Sequence, residues 1–163
     1  MGGAGEVLFA QGFETCYACR DDALVEEAAA LAASTDVAIV FAGLPSSFES
    51  EAFDREHAML PPQIDALVQA VARVQRRLVV VLCNGSPVEL PWAPACPAIL
   101  ELYLGGQAAP LAVVDVLFGA VCPSGKLAET FPMALQDVPS RPYAHNHPRQ
   151  VVYREVCAHS QQT

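Results

Sequence analysis

Val37-Ala38-Ile39-Val40-Phe41 is five apolar residues in a row, with no polar alternation. Ser34-Thr35-Asp36 precedes it and breaks whatever helix came before. Such a run between turn signals reads as a strand of a parallel sheet covered on both faces. Leu78 to Leu82 repeats the pattern, and Ala98 to Tyr103 supplies a third strand. Pro61-Pro62 starts a helix between the first two, because proline suits the first helical turn. Ile64, Leu67, Val68, Val71 and Val74 give that helix an apolar stripe. Upstream, Asp21 and Asp22 cap a helix to about Ala33, with Leu24, Ala28 and Leu31 on one face. Downstream, Gly105-Gly106 turns the chain into a helix from about Gln107 to Phe118, which Gly119 ends. Val7 to Ala10 is a possible first strand and Lys126 to Phe131 an edge strand. The alternation predicts an α/β fold, a three-layer α/β/α sandwich with a mostly parallel sheet. Residues 1–140 are expected to form this one domain. Beyond Pro132 the chain turns polar and proline-rich and is expected to be extended, with residues 141–163 a weakly ordered tail, the start of a truncated downstream segment.

The size and charge of the chain narrow its function. At 163 residues and 53% hydrophobic, it can bury a core of its own and is not a disordered chain. No apolar run approaches the roughly 18 residues that span a membrane, and the start carries no signal-peptide pattern. The net charge is −9, and residues 1–56 hold eleven of the eighteen acids against Arg20 and Arg55 alone. That sign repels phosphate backbones, so no nucleic-acid partner is expected, whereas neutral substrates such as sugars carry no penalty. The six cysteines read mostly as reduced thiols, which favours a cytoplasmic setting.

The chemistry concentrates in the loop after the first strand, Phe48-Glu49-Ser50-Glu51-Ala52-Phe53-Asp54-Arg55. Loops at the carboxyl ends of parallel strands are where open α/β sheets carry their sites. Right-handed crossovers would bring Asn84-Gly85 and Gly105-Gly106 to the same edge. Two nearby carboxylates suit a general acid, since one raises the proton affinity of the other. A solvated charge cluster, with Asp54-Arg55 as a local ion pair, is the plainer alternative. Other chemistries find less support. Neither G-x-G-x-x-G nor a Walker lysine motif is present, and Gly85-Ser86-Pro87 is no nucleophile elbow. Cys16-Tyr17-Ala18-Cys19 lacks the second cysteine pair of a zinc site, and His145-Asn146-His147 lies far along the chain. No metal and no cofactor are expected.

Several ordered blocks resemble the C-terminal α/β sandwich domain of family 3 glycoside hydrolases, the β-glucosidase family. Ala38 to Leu44 is similar to that family's strand before its catalytic loop, and Glu49-Ser50-Glu51-Ala52-Phe53-Asp54-Arg55 to its E-S-E-G-[FY]-D-R motif. Leu60-Pro61-Pro62-Gln63, Asn84 to Glu89 and Tyr103 to Gln107 resemble three further blocks. Asp115 to Gly119, then Pro123-Ser124-Gly125-Lys126-Leu127 and Glu129-Thr130-Phe131-Pro132, resemble its most recognisable signature. The resemblance implies retaining hydrolysis of a β-glucoside or oligosaccharide, with the nucleophile on a TIM-type barrel domain and the general acid/base on this loop. It implies Glu51 as first choice for that acid/base and Glu49 as second, with Asp54 and Arg55 shaping the loop.

There are departures from the pattern. Ala52 stands where the family has glycine, and Val151 to Val156 resembles the start of a later family segment without its Glu-Gly ending. No stretch reads as the barrel, so the chain is expected to fold but not to turn over substrate alone. The alternatives are a non-catalytic carbohydrate-binding or interaction module derived from that domain, and an unrelated enzyme using Cys16 and Cys19.

Overall fold

The computed structural model describes residues 5–14, 21–51, 55 and 57–138. Helix α1 (Asp22–Ala33) starts where Asp21 accepts hydrogen bonds from the Ala23 and Leu24 amides. This satisfies two of the amides that a helix start otherwise leaves unpaired. Its inward face carries Val25, Ala28 and Ala32; of the expected set Ala28 is there, while Leu24 and Leu31 do not join the core. The i, i+3, i+7 set with the smaller side chains lets α1 come close to its neighbour. Strand β1 (Ala38–Gly43) follows, then helix α2 (Pro62–Val74) and strand β2 (Leu78–Cys83). Strand β3 (Ala98–Glu101) and helix α3 (Ala109–Leu117) complete the regular elements.

The three strands form a parallel sheet in the order β1-β2-β3. Ala38 to Gly43 lie opposite Leu78 to Cys83, and Val79 to Leu82 opposite Ala98 to Glu101. This bears out the α/β class with its parallel sheet. One face of the sheet is the core. Ala38, Val40 and Ala42 of β1 and Leu78, Val80 and Leu82 of β2 meet Ile64, Leu67, Val68 and Val71 of α2. Each such Leu, Ile or Val contributes roughly 1.5–3 kcal/mol by leaving water. Val74 does not join them; it lies half-exposed at the last turn of α2. On the opposite face Val81 of the central strand is fully buried, while Ile39 and Phe41 of the edge strand β1 are exposed.

Three sequence expectations need correction. Val7 to Ala10 forms no strand. Val7 and Phe9 project into solvent, and the segment lines a cavity of about 480 Å³ beside β1 and α1. Lys126 to Phe131 forms no strand either: the Ala128 amide goes to the Tyr103 hydroxyl instead of a ladder, and Phe131 turns in toward the core. The chain just after Pro132 is not extended throughout. A single helical turn at Leu135–Asp137 is held where the Leu135 amide reaches the Glu89 carboxylate at 2.7 Å. The expected tail at 141–163, Cys16-Cys19, His145 and His147 lie outside the described residues.

Candidate functional site

The long segment between β1 and α2 runs alongside residues 83–89 and is fastened to them in order. The Leu44 amide extends the β1–β2 ladder onto the Cys83 carbonyl at 3.2 Å. Next comes a tight turn, in which the Phe48 and Glu49 amides both reach back to the Pro45 carbonyl. Glu49 then accepts from the Gly85 amide at 2.7 Å and from the Ser86 hydroxyl at 2.6 Å, one bond to each carboxylate oxygen. Arg55 donates to the same Ser86 hydroxyl at 2.9 Å and to the Pro87 carbonyl at 3.0 Å. Finally the Glu89 amide reaches the Ala58 carbonyl, and Met59 and Glu89 form an isolated parallel bridge.

This fastening follows from local chemistry. Gly43 ends β1 so close to β2 that a Cβ there would lie 2.2 Å from the Cys83 carbonyl oxygen. Asn84-Gly85-Ser86-Pro87 is a turn, and turns leave amides and hydroxyls available to an incoming carboxylate. Parallel strands put all these loops at one edge, so the acidic loop meets the loops after β2 and β3 there.

Of the residues expected to form a site, Glu49 and Arg55 come together, but through Ser86 and not directly. Ser86 read only as a turn residue, because a hydroxyl that bridges distant residues leaves no mark in sequence. Glu51 is exposed in a turn and makes no hydrogen bond or ion pair to another described residue. Asp54 and Ala52 lie outside the described residues. Phe48 and His57 stand with ring centroids 6.2 Å apart.

Glu101 was missed altogether. It ends β3 and belongs to the same edge. Burial pushes its carboxyl above the ordinary range, and the charge of Glu49 adds to that. Its only advance signal was its place at the end of the third apolar run.

A cavity of about 700 Å³ beside α1 and α2 and one of about 480 Å³ beside β1 and α1 have no described residue of the acidic loop in their lining. Among the described residues, no cluster of His, Cys, Asp or Glu is set to hold a metal ion. No helix among them is long and apolar enough to cross a membrane.

Residues 7–160 match the family model of the glycosyl hydrolase family 3 C-terminal domain. The chain belongs to this family. Thermostable beta-glucosidase B of Acetivibrio thermocellus is 52% identical over 134 residues, which is 82% of this chain and 18% of that protein. An exo-alpha-(1->6)-L-arabinopyranosidase of Bifidobacterium longum is 44% identical over 133 residues, 81% of this chain and 18% of its own length. Among solved structures, the family 3 beta-glucosidase of Bifidobacterium adolescentis superposes with a TM-score of 0.82 at 45% identity. It covers 87% of this chain, which spans 21% of it. This family 3 domain thus spans about a fifth of the length of such relatives.

Proposed function

We propose that this domain supplies the general acid/base for retaining hydrolysis of a β-glycosidic bond, with Glu51 as the proton donor. The observation that carries the reading is the division of labour between two glutamates. Both oxygens of Glu49 are taken up in anchoring the loop, while Glu51 stands exposed in a turn two residues on. A group that must give and retake a proton needs access to substrate and solvent. An anchor needs neither. Glu49, the second choice for acid/base, holds the loop in this reading, and Arg55 and Asp54 shape it.

In the first step the Glu51 carboxyl protonates the glycosidic oxygen as the bond to the anomeric carbon breaks. A second carboxylate attacks that carbon and forms a glycosyl ester. In the second step Glu51, now ionised, takes a proton from the water that hydrolyses the ester. Retaining enzymes hold the two carboxyls about 5–5.5 Å apart, on opposite sides of the scissile bond. Two glutamates on one short loop do not flank a sugar ring in that way. The nucleophile is therefore assigned to a TIM-type barrel domain that closes over the loop. The substrate is a β-glucoside or related oligosaccharide. The relatives include both beta-glucosidases and an arabinopyranosidase, so the sugar is set by the surface facing this loop.

The test is a chimera in which this chain replaces the aligned segment of the Acetivibrio thermocellus enzyme. Glu51→Gln should slow hydrolysis of an alkyl β-glucoside about 10²–10⁴-fold, the usual worth of a general acid. For a dinitrophenyl glucoside kcat/KM should fall far less, because that leaving group departs without a proton, while kcat falls with the slowed second step. An unchanged alkyl-glucoside rate removes Glu51 from the role. Sugar binding by the chain, with no turnover even in the chimera, would favour a binding module.

A further inference from the structure

Asn84 is completely buried, and its amide nitrogen serves two acceptors, the Ser86 carbonyl at 3.0 Å and Glu101 Oε2 at 3.4 Å. Its orientation is fixed, because turning the amide over would set Oδ1 against two acceptors. The other Glu101 oxygen, Oε1, accepts from the Tyr103 amide at 2.7 Å. Tyr103 has φ of 53°, the left-handed region that costs a side-chain-bearing residue about 1–2 kcal/mol. Leu104, next along, lies 3.0 Å from where a Cβ on Gly85 would sit. One carboxyl group thus ties a strained backbone on the β3 side to the turn on the β2 side. That turn presents the Gly85 amide and Ser86 hydroxyl to Glu49.

We propose that Glu101 is a positioning residue for the acidic loop, acting through Asn84 and Tyr103 on the turn to which Glu49 is anchored. It touches no substrate. Its catalytic consequence rests on Glu51 being the proton donor; the mechanical link does not. A half-buried carboxyl that spends both oxygens on neighbouring backbone and amide groups is a costly way to fill space. Glutamine has the same shape but presents an amide nitrogen where Asn84 needs an acceptor, so it separates the two roles. In Glu101→Gln the retained oxygen keeps the Tyr103 bond, while the new amide nitrogen faces the Asn84 amide donor to donor.

The experiment is amide hydrogen exchange, read by NMR on the full 163-residue chain with Glu101→Gln and Glu101→Ala. In Glu101→Gln the Gly85 amide should exchange about tenfold faster or more, the scale of one lost hydrogen bond to a carboxyl group. The Tyr103 amide and the Val68 amide in the core helix should keep their parent rates. In Glu101→Ala the Tyr103 amide should speed up as well. If that variant does not fold, the glutamine variant alone decides. Parent rates at Gly85 in Glu101→Gln would make the residue a space-filler and overturn the inference. So would an equal rise at Val68, which would mean a general support of the fold. In the chimera, Glu101→Gln should lower kcat about tenfold and leave KM within about twofold. A change confined to KM contradicts the inference. If the Glu51 reading is wrong, Glu51→Gln will be fully active while the exchange pattern stands, so the two failures are distinguishable.

Discussion

The Ser86 hydroxyl donates to Glu49 and accepts from Arg55, so one oxygen stands between an acid and a guanidinium. Removing it leaves Glu49 with the Gly85 amide and Arg55 with the Pro87 carbonyl. Ser86→Ala should therefore loosen the loop without releasing it, at a cost of about 1–2 kcal/mol in a urea titration. No change at all would mean that water replaces the hydroxyl without loss. Asp65 is a second residue whose surroundings set its chemistry. Burial raises its pKa from 3.8 to about 6, the Trp92 indole N–H at 2.8 Å opposes that rise, and the charge of Glu89 adds to it. Between these two values the folded chain holds a proton that the unfolded chain has lost. The contribution of Asp65 to stability is therefore greatest below the unfolded value and falls as pH rises toward about 6. Asp65→Asn still accepts from Trp92 but does not titrate. Urea midpoints at about pH 4.5 and about pH 7.5, read from the fluorescence of Trp92, should differ less in this variant than in the parent. Trp92 is the one tryptophan of the sequence, so its signal is unambiguous. An identical difference in both proteins would mean that Asp65 does not hold its proton there.

At the scale of elements, the close approach of β1 and β2 is what delivers the loop to its turn. Gly43→Ala should force the strand ends apart and cost about 1–3 kcal/mol, the range for overpacking. Wild-type stability by denaturant titration would contradict that contact. The elements that could be read in advance were those with a local signal. The strands Val37–Phe41 and Leu78–Leu82 were plain from unbroken apolar runs, and both proved a residue or two longer at the far end. Helix α1 was plain from its capping aspartate and α2 from its proline start. What could not be read were decisions made by distant partners. Gln75 closes the end of α1 by donating to the Ala32 and Thr35 carbonyls, and Gln63 ties α2 to the Glu14 carbonyl. Val7–Ala10 and Lys126–Phe131 have strand composition, but a strand needs a neighbour to pair with. The candidate site divided in the same way. The acidic motif was visible as a motif, whereas the links from Ser86 to Glu49 and Arg55 and from Glu101 to Asn84 join residues far apart in the chain.

Across the whole molecule, the sheet is covered unevenly. Its helix-bearing face is a closed core, while Ile39 and Phe41 stay exposed on the other side of the edge strand. Parallel strands of unbroken apolar sequence are normally covered on both faces. The loops at the C-terminal edge are tightly tied to one another, and Glu51 stands exposed there. Both features suit a domain that works against a second surface, as the proposed barrel would provide. The central claim is that Glu51 gives the proton while Glu49 holds the loop. The measurement that tests it most directly compares Glu51→Gln and Glu49→Gln in the chimera, on glucosides of rising leaving-group pKa. The account predicts that only Glu51→Gln steepens the dependence of rate on leaving-group pKa, while Glu49→Gln lowers all rates by a similar factor. A steepened dependence in Glu49→Gln, with Glu51→Gln unaffected, would exchange the two roles and contradict the account.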